Sequence, residues 1–194
     1  MKFSYNDNIT MHRLNTADFH RIFVRFCSYA AHCTFGLLIG VIPVQLTKYS
    51  TGRLRPHFLD VCKPNVNLTV LCGSGSASSH DYIEDYVCLG GPEARVRNAR
   101  LSFYSGHAST AMNVAVFCVM YLQARLPRRI YGISLLPLFQ TMLIGGALLV
   151  GYSRVSDNMH HPTDVMVGFA AGLMVALVSV SSFLGIIIET FVIC

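Results

Sequence analysis

The sequence predicts an all-α fold, a polytopic transmembrane helix bundle with four spans, and three observations support this class. The chain has 194 residues, of which 53% are hydrophobic and 13% are charged, whereas a typical soluble domain is about 25% charged. Residues 169–180 (FAAGLMVALVSV) lack the polar face that a helix of a soluble bundle carries. Four stretches contain no charged residue, and each is 17 to 24 residues long, whereas a helix needs roughly 20 residues to cross a bilayer. These stretches are residues 26–47, 108–124, 130–153 and 165–188.

In chain order, the sequence predicts a polar N-terminal tail followed by the four spans. Residues 1–25 contain no early apolar run, so we expect an uncleaved tail rather than a signal peptide, and the first span remains as an anchor. The second span, 108–124, is the shortest and begins directly after a Ser-Gly-His sequence, so part of its length belongs to the interfacial region. Spans 130–153 and 165–188 complete a membrane domain predicted to cover residues 26–188.

The orientation of the spans is predicted from their flanking arginines. Four spans place both termini and the segment 125–129 on one side of the membrane, and the loop 48–107 on the other. Total positive charge does not distinguish the sides, whereas Arg125, Arg128 and Arg129 form the densest short basic cluster. The positive-inside rule places this cluster and the N-terminal tail in the cytosol. The loop 48–107 then faces the exterior or a lumen.

Two features of this loop suit an exterior location. Asn67 begins an Asn-Leu-Thr sequon, which is glycosylated only on that side. Cys62, Cys72 and Cys88 would meet an oxidising compartment, where one disulfide forms and one cysteine is left over. The spacing of the three cysteines leaves the pairing open.

Basic residues beside the exterior ends of spans are explained by an anionic ligand. Lys48 and Arg55 follow the first span, and they offer a mobile point charge and a planar fork that matches two phosphate oxygens. Taken alone, this cluster also fits contact with lipid headgroups. Ser105 and Gly106 lie where the second span begins, and the free N–H groups of a helix start attract an anion. With His107 they also fit a serine cap followed by a solvated histidine.

A third cluster, with Arg154, leads into the fourth span. His160 and Asp164 are four residues apart, the spacing that places two side chains on one helical face. A carboxylate can hold one imidazole nitrogen protonated and present the other as a nucleophile or base. Because Pro162 starts the helix, we expect the pair to use the geometry of a helix start rather than of a regular turn. Taken alone, the pair also fits a solvated histidine and an aspartate favoured by the helix dipole.

The three clusters lie at the exterior ends of different spans, which a helix bundle brings together. They supply three cations, two histidines and one carboxylate. This set fits phosphoryl transfer, whose main demand is to position the phosphoryl group and to stabilise its charge.

The same residues form a recognisable combination of motifs. They are Lys-x6-Arg-Pro at 48–56, Ser-Gly-His at 105–107 and Ser-Arg-x5-His-x3-Asp at 153–164. This combination resembles the three signature motifs of the type 2 phosphatidic acid phosphatase superfamily. The phrases KYSTGRLRPHFLDVC and RLSFYSGHAS resemble its animal lipid phosphate phosphatase branch in particular.

The resemblance implies a phosphatase that uses neither metal nor other cofactor. His160 would attack phosphorus to form a phosphohistidine, with Asp164 orienting it, and His107 would protonate the leaving alkoxide and then activate water. The expected substrates are phosphatidate, lysophosphatidate, ceramide 1-phosphate and sphingosine 1-phosphate, at the exterior or lumenal face of the plasma membrane or an internal membrane. The resemblance implies no nucleic-acid partner, and homo-oligomerisation is left open. The residues implied to bind the phosphoryl oxygens are Lys48, Arg55, Arg154, Ser105 and Gly106.

The resemblance also implies six spans, so we expect this chain to lack the first two helices of the family. Two other classes of protein stay open. One is a noncatalytic membrane binding or adhesion protein of the same fold. The other is a metal-dependent membrane hydrolase with His107, His160, His161 and Asp164 as ligands, although three nearby cations would repel a divalent ion.

Overall fold

The computed structural model describes residues 16–66, 85–125 and 135–192, and within these ranges the fold consists of six helices. The predicted all-α class is confirmed. The glycosylation candidate Asn67, Cys72 and residues 1–15 of the predicted tail lie outside the described residues. The helices are α1 (Thr16–Thr51), α2 (Phe58–Cys62), α3 (Glu93–Ala99), α4 (Gly106–Arg125), α5 (Leu135–Ser156) and α6 (Pro162–Val192).

Three described helices are long and apolar enough to cross a membrane, and they overlap the first, third and fourth predicted spans. Helix α4 covers the second predicted span, 108–124, but is not among them. Helix α1 begins at Thr16, inside the predicted tail, because no proline or glycine interrupts it before the apolar stretch. The three candidate spans are Phe26–Thr51, Leu135–Ser156 and Pro162–Ser182.

Helix α4 lies at the centre of the bundle, packed against α6, α5 and α1. Its polar residues Ser109 and Asn113 are buried, and polar residues of this kind lower the hydropathy of a helix. The Asn113 amide donates a hydrogen bond to the carbonyl of Gly36 in α1 at 3.4 Å. A polar side chain is tolerated inside such a bundle when a neighbouring helix supplies its partner.

Small residues bring α4 and α6 into close contact. A Cβ on Gly168 would lie 2.6 Å from the carbonyl oxygen of Ser105, and one on Gly172 would overlap the carbonyl oxygen of Ser109. The two backbones therefore pack directly on each other, as small residues allow in membrane bundles. This contact places the start of α6 against the start of α4.

The loop between α1 and α4 contains two short helices that the sequence did not predict. Phe58 and Cys62 of α2 form a buried apolar cluster with Val96 and Ala99 of α3. A disulfide joins Cys62 to Cys88, which resolves the pairing that the spacing left open. The cluster and the disulfide hold the described parts of this loop, residues 52–66 and 85–105, together at one end of the bundle.

Candidate active site

The other segments of the site contact the start of α6. The backbone N–H of Ser105, just before α4, donates to the carbonyl of Asp164 at 3.0 Å. From the segment after α1, the Arg53 guanidinium contacts the Asp164 carboxylate at 2.5 Å. These contacts bring all three predicted clusters to one end of the helices.

The Asp164 side chain is fully buried, and hydrogen bonds hold both of its oxygens. Oδ1 accepts from Arg53 Nη1 at 2.5 Å, and Oδ2 accepts from Ser102 Oγ at 2.5 Å. Oδ2 also accepts from the backbone N–H of His161 at 3.2 Å. A carboxylate taken out of water needs donors of this kind to keep its charge.

His160 lies beside Asp164 but does not bond to it directly. The imidazole is only 3% exposed, and its Nδ1 is 3.9 Å from Asp164 Oδ2 and 3.4 Å from Ser102 Oγ. His161 Nδ1 is nearer to the same carboxylate oxygen, at 3.4 Å. The predicted start of α6 at Pro162 is confirmed, and with this geometry the spacing of four residues gives no direct hydrogen bond between the pair. His160 therefore lies in the preceding turn, where its N–H donates to the carbonyl of Arg154.

The surroundings of His160 keep it neutral at neutral pH. The pKa of His160 is lowered to about 4, first by burial and then by the cations Arg55 and Lys48, against the opposing effects of Asp164 and Ser102. A neutral imidazole retains a nitrogen lone pair. His160 is therefore in the protonation state that a nucleophile needs.

His107 is exposed in the first turn of α4 and lies near the cations. Its pKa is lowered, first by partial desolvation and then by Arg154, Lys48 and Arg55. The cations of the first and third clusters therefore act on the one imidazole of the second cluster. His107 therefore titrates at a lower pH than an isolated histidine.

A cavity of about 390 Å³ opens where the end of α1 meets the start of α4. Its lining combines apolar side chains with Lys48 and His107, so an apolar wall lies next to charged and titratable groups. A Cβ on Gly106 would lie 3.1 Å from Val44 Cγ1 and 3.8 Å from Lys48 Nζ, so glycine lets α1 approach. The lining residues are Val41, Val44, Gln45, Lys48, Gly106, His107, Thr110 and Ala111.

The Arg55 guanidinium has hydrogen-bond partners at both terminal nitrogens, including Met159 Sδ at 3.7 Å from Nη1, but none at Nε. Its Nη2 donates to Asn98 Oδ1 at 3.1 Å and to the carbonyl of Leu101 at 3.5 Å. Its Nε is buried and has no hydrogen-bond partner among the residues that the structure describes. A buried, unsatisfied donor of a cation is costly unless a ligand accepts from it. Arg55 thus has the features expected of an anion-binding residue.

Arg154 and Ser105 make contacts within the protein. Arg154 Nη2 bonds to Asp157 Oδ2 at 3.1 Å, on the same helical turn. Ser105 is fully buried, and its Oγ accepts from the backbone N–H of Ala108 at 3.4 Å, as a helix cap does. Gly106, the first residue of α4, lies where helical N–H groups have no intrahelical acceptor. The phosphate-binding roles of these residues remain predictions.

Sequence reasoning predicted no partner for two residues of the site, Ser102 and Arg53, although it placed Arg53 among the charges near the expected phosphate. Ser102 is fully buried, and its partner Asp164 is 62 positions away along the chain. The partner of Arg53 is 111 positions away. No local spacing signals contacts of this range. The sequence feature that pointed to Arg53 as a site residue was the basic character of the segment after the first span.

The metal-hydrolase alternative requires a group of ligands. In the described ranges, no three His, Cys, Asp or Glu side chains are grouped as a metal would need.

The fold and the site together define a helical membrane protein with a buried histidine, a carboxylate and several cations at one end of its bundle. The sequence profile of the PAP2 superfamily matches residues 29–187, and the chain belongs to this superfamily. The predicted resemblance is thereby confirmed. No solved structure matches the chain.

Several curated proteins are similar to the chain. It is 40% identical over 167 residues to phospholipid phosphatase homolog 1.2 homolog of Caenorhabditis elegans, covering 86% of this chain and 47% of that protein. It is 43% identical over 146 residues to phospholipid phosphatase 1 of Rattus norvegicus, covering 75% of this chain and 49% of that protein. It is 40% identical over 164 residues to phospholipid phosphatase 2 of Bos taurus, covering 84% of this chain and 54% of that protein. The chain thus spans about half the length of these relatives.

Proposed function

We propose that this chain is an integral-membrane lipid phosphate phosphatase that hydrolyses phosphatidate, lysophosphatidate and sphingoid or ceramide phosphates. The observation that carries the proposal is the placement of a buried, neutral His160 under the influence of the cations Arg55 and Lys48. The name phospholipid phosphatase, borne by its relatives, supports the lipid class. Homo-oligomerisation stays open.

The first step forms a bond between His160 and phosphorus. The imidazole lone pair attacks, and the bond between phosphorus and the ester oxygen breaks with its electron pair on that oxygen. His107 donates a proton to this leaving alkoxide, which departs as a lipid alcohol. The step needs His160 neutral and His107 protonated.

The second step returns both histidines to their starting states. A water oxygen attacks phosphorus, and the bond between phosphorus and nitrogen breaks with its electron pair on His160. The now neutral His107 takes a proton from the water, and inorganic phosphate leaves.

Positive charge at the site replaces the Lewis acid that many phosphatases use. Lys48, Arg55 and Arg154 neutralise the phosphoryl oxygens as charge shifts among them. Gly106 and Ser105 add the start of α4, whose dipole favours an anion. The unpaired Nε of Arg55 supports this role in particular. The proposed reaction accordingly requires no metal ion.

The cavity between α1 and α4 suits the leaving group of a lipid substrate. His107, the proposed acid, lines this cavity together with Val41, Val44 and Ala111. A leaving oxygen near His107 would therefore have apolar side chains on the side away from the phosphate. Acyl chains can then stay in lipid while the headgroup reaches the site.

We assign the site to the exterior or lumenal face of the plasma membrane or an internal membrane. The disulfide between Cys62 and Cys88 supports this assignment, because disulfides persist in oxidising compartments. The disulfide lies in the loop that also carries Arg55, next to the proposed site.

A noncatalytic membrane binding protein of the same fold is the second candidate. The chain spans 47% to 54% of the length of its curated relatives, so activity of these 194 residues by themselves is what separates the two candidates.

Phosphate release from phosphatidate in mixed micelles separates these candidates. The chain of 194 residues is compared with a His160→Ala variant, with and without EDTA. We expect release only from the unaltered chain, at the same rate in chelator. Release no faster than that of the variant would refute the enzymatic proposal. Activity lost in EDTA and restored by zinc or magnesium would refute metal independence.

A further inference from the structure

Ser102 occupies the space between the two groups that the proposed mechanism couples. The gap from His160 Nδ1 to Asp164 Oδ2 is 3.9 Å, too long for a hydrogen bond. Ser102 Oγ is 2.5 Å from that carboxylate oxygen and 3.4 Å from His160 Nδ1. Ser102 and Asp164 are fully buried, and His160 is 3% exposed, so bulk water does not replace the serine.

The position of Ser102 is set by Arg53. The backbone N–H of Ser102 donates to the carbonyl of Arg53 at 2.9 Å. The side chain of the same arginine contacts Asp164 Oδ1 at 2.5 Å and Thr163 Oγ1 at 2.9 Å. One residue therefore aligns both the serine and the carboxylate.

The direction of the hydrogen bonds follows from the donors available. An ionised carboxylate only accepts, so the Ser102 hydroxyl hydrogen points to Asp164. The lone pairs of Ser102 Oγ are then left to accept from an N–H on His160 Nδ1. A histidine protonated on Nδ1 carries its free lone pair on Nε2.

We propose that Ser102 is a positioning residue that connects Asp164 to His160, holding the imidazole as the Nδ1–H tautomer with Nε2 free to attack phosphorus. This inference rests on the proposed phosphatase function. The proton on Nδ1 stays in place throughout both steps, and the hydroxyl proton of Ser102 is not transferred. When the bond between Nε2 and phosphorus forms, the ring becomes cationic. The charge of Asp164 then stabilises it through the serine.

His161 is the competing partner for the carboxylate. Its Nδ1 lies 3.4 Å from Asp164 Oδ2, and its side chain is about one-third exposed. Without Ser102, Asp164 would retain contacts to His161 and Arg53 but would have no connection to His160. Loss of Ser102 should therefore impair chemistry more than it disturbs the carboxylate.

The first test compares Ser102→Ala with Ser109→Ala in the full chain, using phosphatidate in mixed micelles. Ser109 is the matched control, a buried serine of α4 that bonds neither His160 nor Asp164 in the structure. We expect Ser102→Ala to lower kcat about 10- to 100-fold, as loss of orienting partners does elsewhere, with KM nearly unchanged. Ser109→Ala should keep kcat close to that of the unaltered chain. A Ser102→Ala variant with unaltered kcat would overturn the proposal.

The second test combines Ser102→Ala with Asp164→Asn. Residues that act through one another show losses that do not multiply. We expect the double variant to be no slower than Asp164→Asn alone. Losses that multiply would show that Ser102 acts independently of Asp164 and would overturn the proposal.

Ser102→Thr distinguishes the loss of the hydroxyl from a folding defect of Ser102→Ala, because threonine retains the hydroxyl. We expect it to recover most of the activity that alanine loses. A Ser102→Thr variant with the melting temperature of the unaltered chain but the low kcat of Ser102→Ala would contradict the proposed connection between Asp164 and His160. Failure of the phosphatase function itself would look different, because the unaltered chain would then be no faster than His160→Ala.

Discussion

The two histidines of the site are chemically alike but lie in different surroundings. His160 is buried, and its pKa falls to about 4, so it is neutral over the physiological range. His107 is exposed, and its pKa is lowered by partial desolvation and by the cations Arg154, Lys48 and Arg55. This difference supports His160 as nucleophile and His107 as the acid and base.

Arg154 should set the pH at which kcat/KM falls on the alkaline side of the pH profile. A cation beside His107 disfavours the imidazolium and lowers its pKa, so its removal raises that pKa. The first step needs protonated His107. Arg154→Gln should therefore shift the alkaline limb of kcat/KM to higher pH, while the loss of a phosphate contact lowers kcat/KM by about 100-fold. The measurement is kcat/KM for lysophosphatidate across pH.

Arg154→Lys is the matched control for this shift. It keeps the positive charge while changing the hydrogen-bonding geometry. Its alkaline limb should stay close to that of the unaltered chain. An alkaline limb of Arg154→Gln that stays in place or moves to lower pH would contradict the assignment of His107 as the acid.

At the scale of elements, the packing of α4 against α6 aligns the site. A Cβ on Gly168 would meet the Ser105 carbonyl at 2.6 Å and Ala108 Cβ at 3.1 Å. Gly168→Ala should therefore push the two helices apart, at a cost of about 1–3 kcal/mol for overpacking. We expect a lower melting temperature and a clear loss of kcat.

Gly145→Ala in α5 provides the comparison for this change. A Cβ there has no heavy atom within 4 Å, so the same substitution adds no clash. Its melting temperature and kcat should stay close to those of the unaltered chain. Equal effects of the two substitutions would show that close packing at Gly168 does not matter.

The loop between α1 and α4 depends on its disulfide. Cys62 and Cys88 are 26 positions apart, and a cross-link of this length stabilises by about 3 kcal/mol in the loop-entropy view. Cys62→Ala with Cys88→Ala should lower the temperature of inactivation, because this loop positions Arg55. Activity during heating, with and without dithiothreitol, provides the measurement.

Cys72→Ala is the control for the disulfide. It should leave the inactivation temperature and its sensitivity to dithiothreitol unchanged. A double variant as heat-resistant as the unaltered chain would mean that the apolar cluster of Phe58, Val96 and Ala99 suffices on its own.

At the scale of the whole molecule, the prediction concerns the side of the membrane on which the site lies. Asn67 begins a sequon in the loop that also contains the disulfide. Chain made in the presence of microsomes should migrate faster after endoglycosidase treatment, and Asn67→Gln should abolish this change. If migration does not change and protease added on the cytosolic side cuts within residues 60–100, the orientation is the opposite of the one predicted.

Much of the membrane architecture was predictable, because hydrocarbon tolerates few charges. Charge-free stretches therefore show up in the sequence, and three of the four predicted spans overlap helices suited to cross a bilayer. Helix α4 is less apolar because packing, rather than lipid, surrounds Ser109 and Asn113. The helices α2 and α3 escaped prediction because they are short, and they are held by a small apolar cluster and by a disulfide between cysteines 26 positions apart.

The types of residue at the site and their grouping at helix ends could be inferred from the chain alone, since composition and spacing are local properties. Lys48, His107 and Asp164 are examples. The connections between these residues depended on the tertiary structure. The placement of Ser102 between His160 and Asp164, and of Arg53 beside both the serine and the carboxylate, arises from contacts between residues far apart in sequence. The start of α6 at Pro162 was predicted from the sequence. The close packing of α4 on α6 decides those contacts, and no local pattern encodes it.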